Sequence, residues 1–311
     1  MKAFIVADVG GTQIRAGIFT AGNPVPLTVK KIKTVEGHQM PTDRLIGLLH
    51  EIWPDDMEVA GIVVAVPGFL DPYEGFVFEA VNVPGWNKLN LREIIQDEFH
   101  VPALLGNDAN LAALGEWRYG AGRSYHDILY LTISTGIGGG AIINDQLLVG
   151  ARGFAGEFGH VTVRPEGPKC TCGQRGHLEA MAAGPAIARF VKEKIAIGFE
   201  CSLAGKANIS AKDVSEAAKA GDPLCIRAIQ QAGTYIGFAL SDFLHILNPA
   251  IIILGGGVGL SGNLIVDAII AAMPERIMGR GYLDKLIITT AQLGDEAGLI
   301  GGLALAEGQL Q

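Results

Sequence analysis

The sequence predicts a duplicated mixed α/β protein with a cleft between its two halves. The chain has 311 residues, which is enough for two domains of about 100–200 residues each. A strand, a glycine-rich turn and a returning strand open each half, at residues 2–19 and again at 128–143. In each half, strands and helices alternate after this first strand–turn–strand unit. Such an internal repeat is typical of a duplicated layered domain.

The first half is predicted from its apolar periodicity. The pattern indicates strands at 2–8, 14–19 and 61–66, a helix at 89–98, a short strand at 103–105 and a helix at 109–119. The strand at 103–105 runs into Asn107 and Asp108, either of which suits the N-cap of the helix that follows. We expect a hinge at 120–124.

The second half repeats this order and then becomes mainly helical. We predict strands at 128–133 and 141–143 around a glycine turn at 134–140. Helices are predicted at 184–195, 210–220 and 222–247. A strand, a turn and a helix follow over 251–270, and then a strand at 286–290 and a helix at 296–307. We expect the last helix to pack on the first lobe. The predicted lobes are therefore 1–119 plus 298–311 and 120–297.

Composition excludes several classes of protein. The net charge is −8, with 24 Lys and Arg against 32 Asp and Glu, and no large basic cluster indicates nucleic acid or an anionic membrane as the main partner. A small molecule is the expected partner. No apolar run approaches the about 20 residues of a membrane span, and the N-terminal sequence does not fit a signal peptide. We expect a cytoplasmic protein, in which Cys201 and Cys225 are two separate buried thiols.

The first glycine turn follows Asp8 and contains Gly10, Gly11, Thr12 and Gln13. It lies on a hairpin, so it is not a Walker P-loop, but its backbone N–H groups suit a phosphate and Asp8 suits hydrated Mg²⁺. An ordinary type I′ hairpin turn explains the same residues. The second turn, with Thr135, Gly136 and Gly138, favours the phosphate hypothesis because two loops are expected if both hold one polyphosphate.

A third glycine cluster follows the strand near residue 251. Gly257 to Gly262 satisfies the dinucleotide pattern Gly-x-Gly-x-x-Gly, which supports an alternative NAD-binding protein. Too few residues follow to complete a doubly wound sheet, and no acidic residue ends the next strand. We therefore interpret Gly255 and Gly256 as part of a turn that passes close to a nucleoside.

Four metal-ligand side chains are crowded into one short segment. His160, Cys170, Cys172 and His177 provide two thiolates and two imidazoles, the donor set of a tetrahedral structural Zn²⁺. Glu157 and Glu179 flank this segment, so a metal there would aim both carboxylates at one pocket. Solvated surface charge is the alternative explanation of the two glutamates.

Asp108 is the carboxylate that best suits a general base. It follows a buried strand and begins a helix, whose N-terminus stabilises its charged form. A helix-capping role explains the same position, and on a single sequence it is the commoner explanation.

These motifs resemble those of the ROK (repressor, open reading frame, kinase) family, and within it the bacterial ATP-dependent glucokinases. The resemblance covers essentially the whole chain and is most specific at Glu157-Phe158-Gly159-His160 and the Cys-x-Cys-Gly-x-x-Gly segment that ends at Glu179. It implies the actin-like, ribonuclease-H-like two-lobe sugar kinase fold, with hexose and ATP in the interlobe cleft. It also implies Mg²⁺ as cofactor, structural Zn²⁺ and a homodimer or higher homo-oligomer.

The resemblance also implies roles for single residues. Asp108 would be the base on the sugar hydroxyl, with Gly68, Asn107, Glu157, His160 and Glu179 as further sugar contacts. The zinc ligands would be His160, Cys170, Cys172 and the position of a third Cys, which is His177 here. Repressors of the family carry an N-terminal winged helix, whereas this sequence starts at the first strand, which favours the kinase.

The sugar and the phosphoryl donor stay open at this point. Glucose is the first choice, and kinases for N-acetylmannosamine, N-acetylglucosamine, mannose and fructose share these motifs. Polyphosphate is an alternative donor to ATP. A non-catalytic sugar sensor of the same fold is the alternative to an enzyme.

Overall fold

The computed structural model describes residues 2–310 of the chain and divides it into two compact units. The first unit contains the chain up to Ser124, then Gly140–Gly156, and the segment from Gln292 onward. The second unit consists of Tyr125–Gly139 and Glu157–Ala291. This division gives the first unit the segment Gly140–Gly156, which the sequence-based boundary placed in the larger lobe.

Outside the segment Gly140–Gly156, the first unit is built on two sheets and four helices. Its strands are β1 (Lys2–Val9), β2 (Gln13–Thr20), β3 (Asn23–Lys33), β4 (Glu58–Val66), β5 (Gly68–Asp71), β6 (Phe76–Ala80), β7 (Asn87–Asn90) and β8 (Ala103–Asn107). Its helices are α1 (Pro41–Ile52), α2 (Leu91–Phe99), α3 (Asp108–Tyr119) and the C-terminal helix Ala297–Gln309. The larger sheet has the order β3-β2-β1-β4-β8, with β1, β4 and β8 parallel. The smaller sheet has the order β5-β6-β7.

The strand β1 is apolar from Ala3 to Ala7 because helices cover both faces of its sheet. Ile5 and Ala7 belong to the core that α1 and α2 complete. Val6, on the opposite face, lies so close to the C-terminal helix that a Cβ on Gly302 would come within 2.2 Å of it. The C-terminal helix also crosses α3 closely, since a Cβ on Gly301 would fall 1.7 Å from the Leu111 carbonyl oxygen. The predicted packing of the last helix on the first lobe is confirmed.

The remaining elements follow in chain order. They are β9 (Ile128–Ile133), β10 (Ile137–Ile143), β11 (Gln146–Leu147), α4 (Leu178–Ala182), α5 (Gly184–Ala196), α6 (Ala211–Lys219), α7 (Pro223–Leu247), β12 (Ile251–Gly255), α8 (Gly256–Gly259), α9 (Asn263–Ala272), β13 (Ile287–Thr290) and α10, the C-terminal helix. The sheet order is β11-β10-β9-β12-β13, and β9, β12 and β13 are parallel. Within the described part of the chain, no helix combines the length and apolar composition needed to cross a membrane.

The second glycine turn is shorter than predicted, because Gly138–Gly140 belong to β10. Close packing explains two of these glycines better than a turn does. A Cβ on Gly139 would lie 2.5 Å from the Tyr130 carbonyl oxygen, and one on Gly140 would lie 2.7 Å from Ala113 Cβ. The prediction that Gly138 lies in the loop is therefore wrong.

Other predicted boundaries also differ from the structure, and β4, for example, begins at Glu58 rather than at residue 61. The strand β8 extends to Asn107, two residues further than predicted, and α2 begins at Leu91 because Asn90 caps it by accepting a hydrogen bond from Glu93 N. The proposed hinge at 120–124 forms a turn that is anchored at Ala121 N by Glu116 Oε2, at 2.8 Å. Its role as a hinge stays a prediction.

Candidate active site

The end of β8 and the start of α3 bring three predicted sugar-site residues together. Asn107 is the N-cap of α3, and its Oδ1 accepts hydrogen bonds from Ala109 N and Asn110 N at 3.0 and 3.1 Å. Its Nδ2 donates to the Gly68 carbonyl oxygen at 3.3 Å. Gly68 has φ +101, and a Cβ there would lie 2.4 Å from the Glu79 carbonyl oxygen, so only glycine fits.

Asp108 is the first residue of α3 and is half-buried. Of the two residues considered for the cap, Asn107 caps the helix, so the capping role does not explain Asp108. Its Oδ1 accepts a hydrogen bond from Ala109 N at 2.8 Å, which sets the carboxylate at the positive end of the helix dipole. Its role as a general base stays a prediction.

The first glycine turn lies at the tip of the β1–β2 hairpin, as predicted. The strands pair up to Val9 and Ile14, and Gly10 N donates to the Gln13 carbonyl oxygen at 2.9 Å. Gly11, Thr12 and Gln13 are exposed there, so they can approach a ligand. Gly11 also packs closely, since a Cβ on it would lie 2.7 Å from Asn82 Cβ.

Asp8, at the end of β1, forms an ion pair with Arg15, the residue that faces it across the hairpin. Arg15 also lies 3.8 Å from Glu296, and a Cβ on Gly298 would lie 3.3 Å from Asp8 Oδ2. Sequence reasoning missed Arg15, although the hairpin register places it opposite Asp8. A carboxylate oxygen fits Mg²⁺ in chemistry, and Arg15 supplies a guanidinium beside it.

Glu116 is a buried carboxylate that sequence reasoning also missed. Its Oε1 accepts hydrogen bonds from Gln292 N and Leu293 N at 2.9 and 2.7 Å, while Oε2 holds Ala121 N. The side chain thus ties α3 to the segment that leads into α10, next to Asp8. The sequence signal was an acid that follows an apolar stretch in the middle of a buried helix.

The second glycine turn contacts Glu179, a predicted sugar ligand. Glu179 Oε2 accepts a hydrogen bond from Ile137 N at 3.1 Å, directly after Gly136. A Cβ on Gly136 would lie 2.6 Å from that oxygen, which explains the glycine. Glu179 Oε1 accepts a hydrogen bond from Thr171 Oγ1 at 2.9 Å, so one carboxylate joins this turn to the segment of Cys170 and Cys172.

A cavity of about 900 Å³ lies wholly within the second unit, and we call it the second-unit cavity. Ser134 and Thr135 lie at one side of it, and Gly257 and Val258 from α8 at another. Apolar side chains from α5 and α7, with basic side chains of α5 and α6, complete its wall: Ile187, Ile229, Arg189, Lys192, Lys212 and Lys219. An apolar wall with basic groups and a hydroxyl-bearing glycine turn suits a nucleotide.

Gly255 and Gly256, the predicted nucleoside contacts, do not line this cavity. A Cβ on Gly255 would lie 2.5 Å from the Tyr130 hydroxyl, and one on Gly256, at φ +76, would lie 2.4 Å from the Ile133 carbonyl oxygen. These two glycines let β12 end tightly against β9. The neighbouring Gly257 and Val258 form part of the wall instead, and a nucleoside contact at Gly255 and Gly256 stays a prediction.

A second cavity, of about 690 Å³, lies in the first unit beside β8 and α3. Asn107 lines it together with Asn110, Trp117 and Arg118. Neither Asp108 nor Gly68 is among its lining residues. The cavity therefore adjoins the Asn107 side of the corner formed by β8 and α3.

The four predicted metal ligands lie together. One donor atom from each of His160, Cys170, Cys172 and His177 lies within 4.8 Å of all the others. Both histidines turn Nδ1 toward a sulfur, with His160 at 3.7 Å from Cys170 Sγ and His177 at 3.2 Å from Cys172 Sγ. Two thiols and two imidazoles around one point fit Zn²⁺ in ligand type and number. Burial lowers the pKa of His177, and the neighbouring His160 lowers it further, which favours the neutral imidazole that a metal requires.

Glu157 lies beside this cluster. His160 Nε2, the nitrogen that points away from the sulfurs, lies 3.9 Å from Glu157 Oε2. Partial burial raises the pKa of Glu157, with a further rise from Glu179, while His160 opposes the rise. Phe158, between Glu157 and His160 in sequence, packs on Phe243 of α7 with ring centroids 4.8 Å apart, so the segment is also held by apolar packing.

Comparison with known proteins agrees with these features. The profile of the ROK family matches residues 4–309. The glucokinase of Halalkalibacterium halodurans is 36% identical over 309 residues, which covers 96% of this chain and 93% of that protein.

Solved structures share the fold over nearly the whole chain. A ROK family glucokinase from Streptomyces griseus, in complex with glucose and AMPPNP, is 32% identical, with a TM-score of 0.82 over 97% of this chain and 98% of that chain. A ROK family transcriptional regulator, a homologue of the E. coli MLC protein, is 26% identical, with a TM-score of 0.90 over 99% of this chain and 78% of that chain. The predicted two-lobe, actin-like fold is confirmed. The chain belongs to the ROK family.

Proposed function

We propose that this chain is an ATP-dependent hexose kinase that converts glucose to glucose 6-phosphate. The observation that carries the proposal is the corner of Gly68, Asn107 and Asp108, where a carboxylate begins a helix beside a side chain and a carbonyl that can bind sugar hydroxyls. The similarity to glucokinases over nearly the whole chain supports the same reaction.

Asp108 accepts the proton of the attacking sugar hydroxyl in this proposal. The hydroxyl oxygen forms a bond to the γ-phosphorus of ATP as the bond to ADP breaks. Asn107 keeps the corner rigid through its cap and its bond to Gly68, so the hydroxyl meets the carboxylate in one orientation. General-base catalysis of this kind contributes about 10²–10⁴ in rate.

The second unit supplies further sugar contacts and the nucleotide site. Glu157, His160 and Glu179 bind the remaining hydroxyls, with His160 Nε2 free of the cysteine cluster and able to donate. The nucleoside occupies the second-unit cavity, where Ser134 and Thr135 lie next to its phosphates. The turn at Gly10, Gly11 and Thr12, which lies in the first unit, is a second candidate phosphate-binding loop, with Gly11 and Thr12 exposed.

Two metal ions complete the proposal. His160, Cys170, Cys172 and His177 hold Zn²⁺, which braces the segment that carries the sugar ligands. Asp8 holds hydrated Mg²⁺, which when bound neutralises charge on the phosphates. Arg15 keeps the Asp8 carboxylate oriented at the end of its strand.

The test is ADP release measured with a panel of hexoses, including the N-acetylated sugars, and with ATP replaced by polyphosphate. We expect turnover with glucose and ATP, and dependence on Mg²⁺. Sugar binding without ADP release would instead identify a sensor, the alternative that the likeness to a ROK regulator favours. Turnover only with another sugar would keep the reaction class and correct the substrate.

Asp108→Asn tests the general base in the same assay. The amide still forms hydrogen bonds but cannot accept the hydroxyl proton, so kcat should fall about 10²–10⁴-fold while sugar affinity by calorimetry stays within a few-fold. The matched control is Asp97→Asn, an exposed acid on α2, which should retain full activity. Near wild-type kcat in Asp108→Asn would show that Asp108 is a binding group only.

A further inference from the structure

Cys201 and Cys225 lie side by side, although the sequence suggested two separate buried thiols. Their sulfurs are 3.7 Å apart, and 24 residues separate them in the chain. Cys225 is fully buried in the first turn of α7, whereas Cys201, in the turn after α5, is only half-buried. The two thiols therefore differ in access while they touch each other.

Asp222 holds the two segments that carry the cysteines next to each other. Its Oδ1 accepts a hydrogen bond from Cys225 N at 3.0 Å as the N-cap of α7, and its Oδ2 accepts one from Ser202 N at 2.6 Å. The residue after Cys201 and the helix of Cys225 are thus tied to one carboxylate. These two backbone bonds hold the segment after Cys201 against the first turn of α7, so the two sulfurs stay in contact.

The acidities of the two groups agree with this arrangement. Burial alone would raise the pKa of Asp222, but the bonds from Ser202 and Cys225 outweigh it and hold the pKa well below its usual range. Burial raises the pKa of the Cys225 thiol far above its usual range, and the adjacent Cys201 and Asp222 add to the rise. Cys225 therefore stays protonated at rest, and the more accessible Cys201 meets an oxidant first.

We propose that Cys201 and Cys225 form a reversible disulfide when the protein meets a peroxide or a low-molecular-weight disulfide. With hydrogen peroxide, the Cys201 sulfur attacks one oxygen and the O–O bond breaks, which gives a sulfenic acid and one water. The Cys225 sulfur then attacks the Cys201 sulfur. The S–O bond breaks, and the departing hydroxide takes the Cys225 proton as a second water. Two thiols lose two electrons and two protons, and the peroxide gains them.

The disulfide would enclose α6 in a covalent loop. Residues between the two cysteines include α6, which forms one wall of the second-unit cavity through Ser210, Ala211 and Ser215. Such a loop stabilises the folded state by restricting the unfolded chain. We expect the oxidised protein to melt about 5 °C higher than the reduced protein.

Tryptic mapping without reductant tests the proposal directly. Cleavage after Lys and Arg puts Cys201 in the peptide 195–206 and Cys225 in 220–227, while Cys170 and Cys172 share 170–175. After mild peroxide treatment we expect 195–206 linked to 220–227, and loss of that linkage with dithiothreitol. A disulfide within 170–175 gives a single lighter peptide, so the two thiol pairs are distinguished by mass.

Cys201→Ser and Cys225→Ser are the matched variants. Each should abolish the linked peptide and the oxidant-dependent rise in Tm, and Cys201→Ser, at the more accessible position, should leave the reduced Tm nearly unchanged. Wild-type protein that yields only sulfinic acid or a mixed disulfide at Cys201, with no linked peptide, would overturn the proposal. A linked peptide without a rise in Tm would overturn the stabilising role of the loop.

Discussion

Glu179 accepts hydrogen bonds from two segments that the sequence treats as separate sites. Its Oε2 holds Ile137 N after the second glycine turn, and its Oε1 holds the Thr171 hydroxyl beside Cys170. A bond to a charged acceptor contributes about 1.5–3 kcal/mol, more than a neutral one. At the scale of a single residue, Glu179 therefore positions the glycine turn as well as serving as a proposed sugar ligand.

Glu179→Gln should weaken the binding of both substrates, the sugar and ATP. The amide has one acceptor oxygen and no charge, so both bonds lose their charged acceptor and the Thr171 hydroxyl can bond only by accepting from the amide NH2. We expect KM for sugar and KM for ATP each to rise about 10-fold or more. Thr171→Val is the control, because it removes the hydroxyl bond and leaves the bond from Ile137 N. Steady-state kinetics of the Glu179→Gln and Thr171→Val variants test this prediction. An unchanged KM for ATP in Glu179→Gln would contradict the role of Glu179 in positioning the glycine turn.

The helix α6 shows how an element forms a wall of the proposed nucleotide site. Ser210 caps it by accepting from Asp213 N at 3.3 Å, while Asp213 Oδ2 accepts from Ser210 N at 2.9 Å. Val214, Ala217 and Ala218 are buried, and the residues that face the second-unit cavity begin at the cap. The cap thus links local helix stability to the shape of the cavity.

Ser210→Ala should cost about 0.5–2 kcal/mol in the free energy of unfolding, because the Asp213 N–H loses its partner. Urea unfolding monitored by circular dichroism measures the loss, and calorimetry with AMP measures the accompanying fall in affinity. Ser210→Thr keeps a capping oxygen and should restore most of the stability. Equal stability of the Ala and Thr variants would show that the cap contributes little.

At the scale of the whole molecule, the chain has two compact units, and the cysteine and histidine cluster belongs to the second. Removal of zinc should therefore act locally. We expect chelation to speed amide hydrogen exchange in 157–177 while β1 and β4 of the first unit keep their protection.

Cys172→Ser should reproduce the effect of the chelator, lose close to one zinc per chain by elemental analysis, and raise KM for sugar. KM for ATP should rise as well, since Glu179 connects Thr171 to Ile137. Cys201→Ser, a cysteine outside the cluster, serves as the control and should retain the metal. Unchanged exchange in metal-free protein would mean that apolar packing such as Phe158 on Phe243 is enough to hold the segment.

Sequence patterns predicted most helices and strands because their causes are local. The apolar run of β4, the cap at Asn107, and the metal-ligand spacing from His160 to His177 act within short stretches of chain. No pattern predicted β3, α1 or β5 to β7. Other errors occur where distant residues approach closely. Gly139 and Gly140 look like a turn in the sequence, yet they lie in β10 because Tyr130 and Ala113 leave no room for a Cβ.

The sequence alone determined the two-part α/β architecture, the family, and the set of candidate ligands, because periodicity, glycine spacing and donor chemistry are properties of the chain itself. Only the tertiary structure decided which groups meet. Arg15 opposite Asp8, Glu179 between two segments, and Cys201 against Cys225 depend on strand register and helix packing. Arg15 is only seven residues from Asp8, but their pairing depends on the register of the hairpin. The contacts of Glu179 with Ile137 and of Cys201 with Cys225 join residues far apart in the chain, and no local pattern encodes the distance between them.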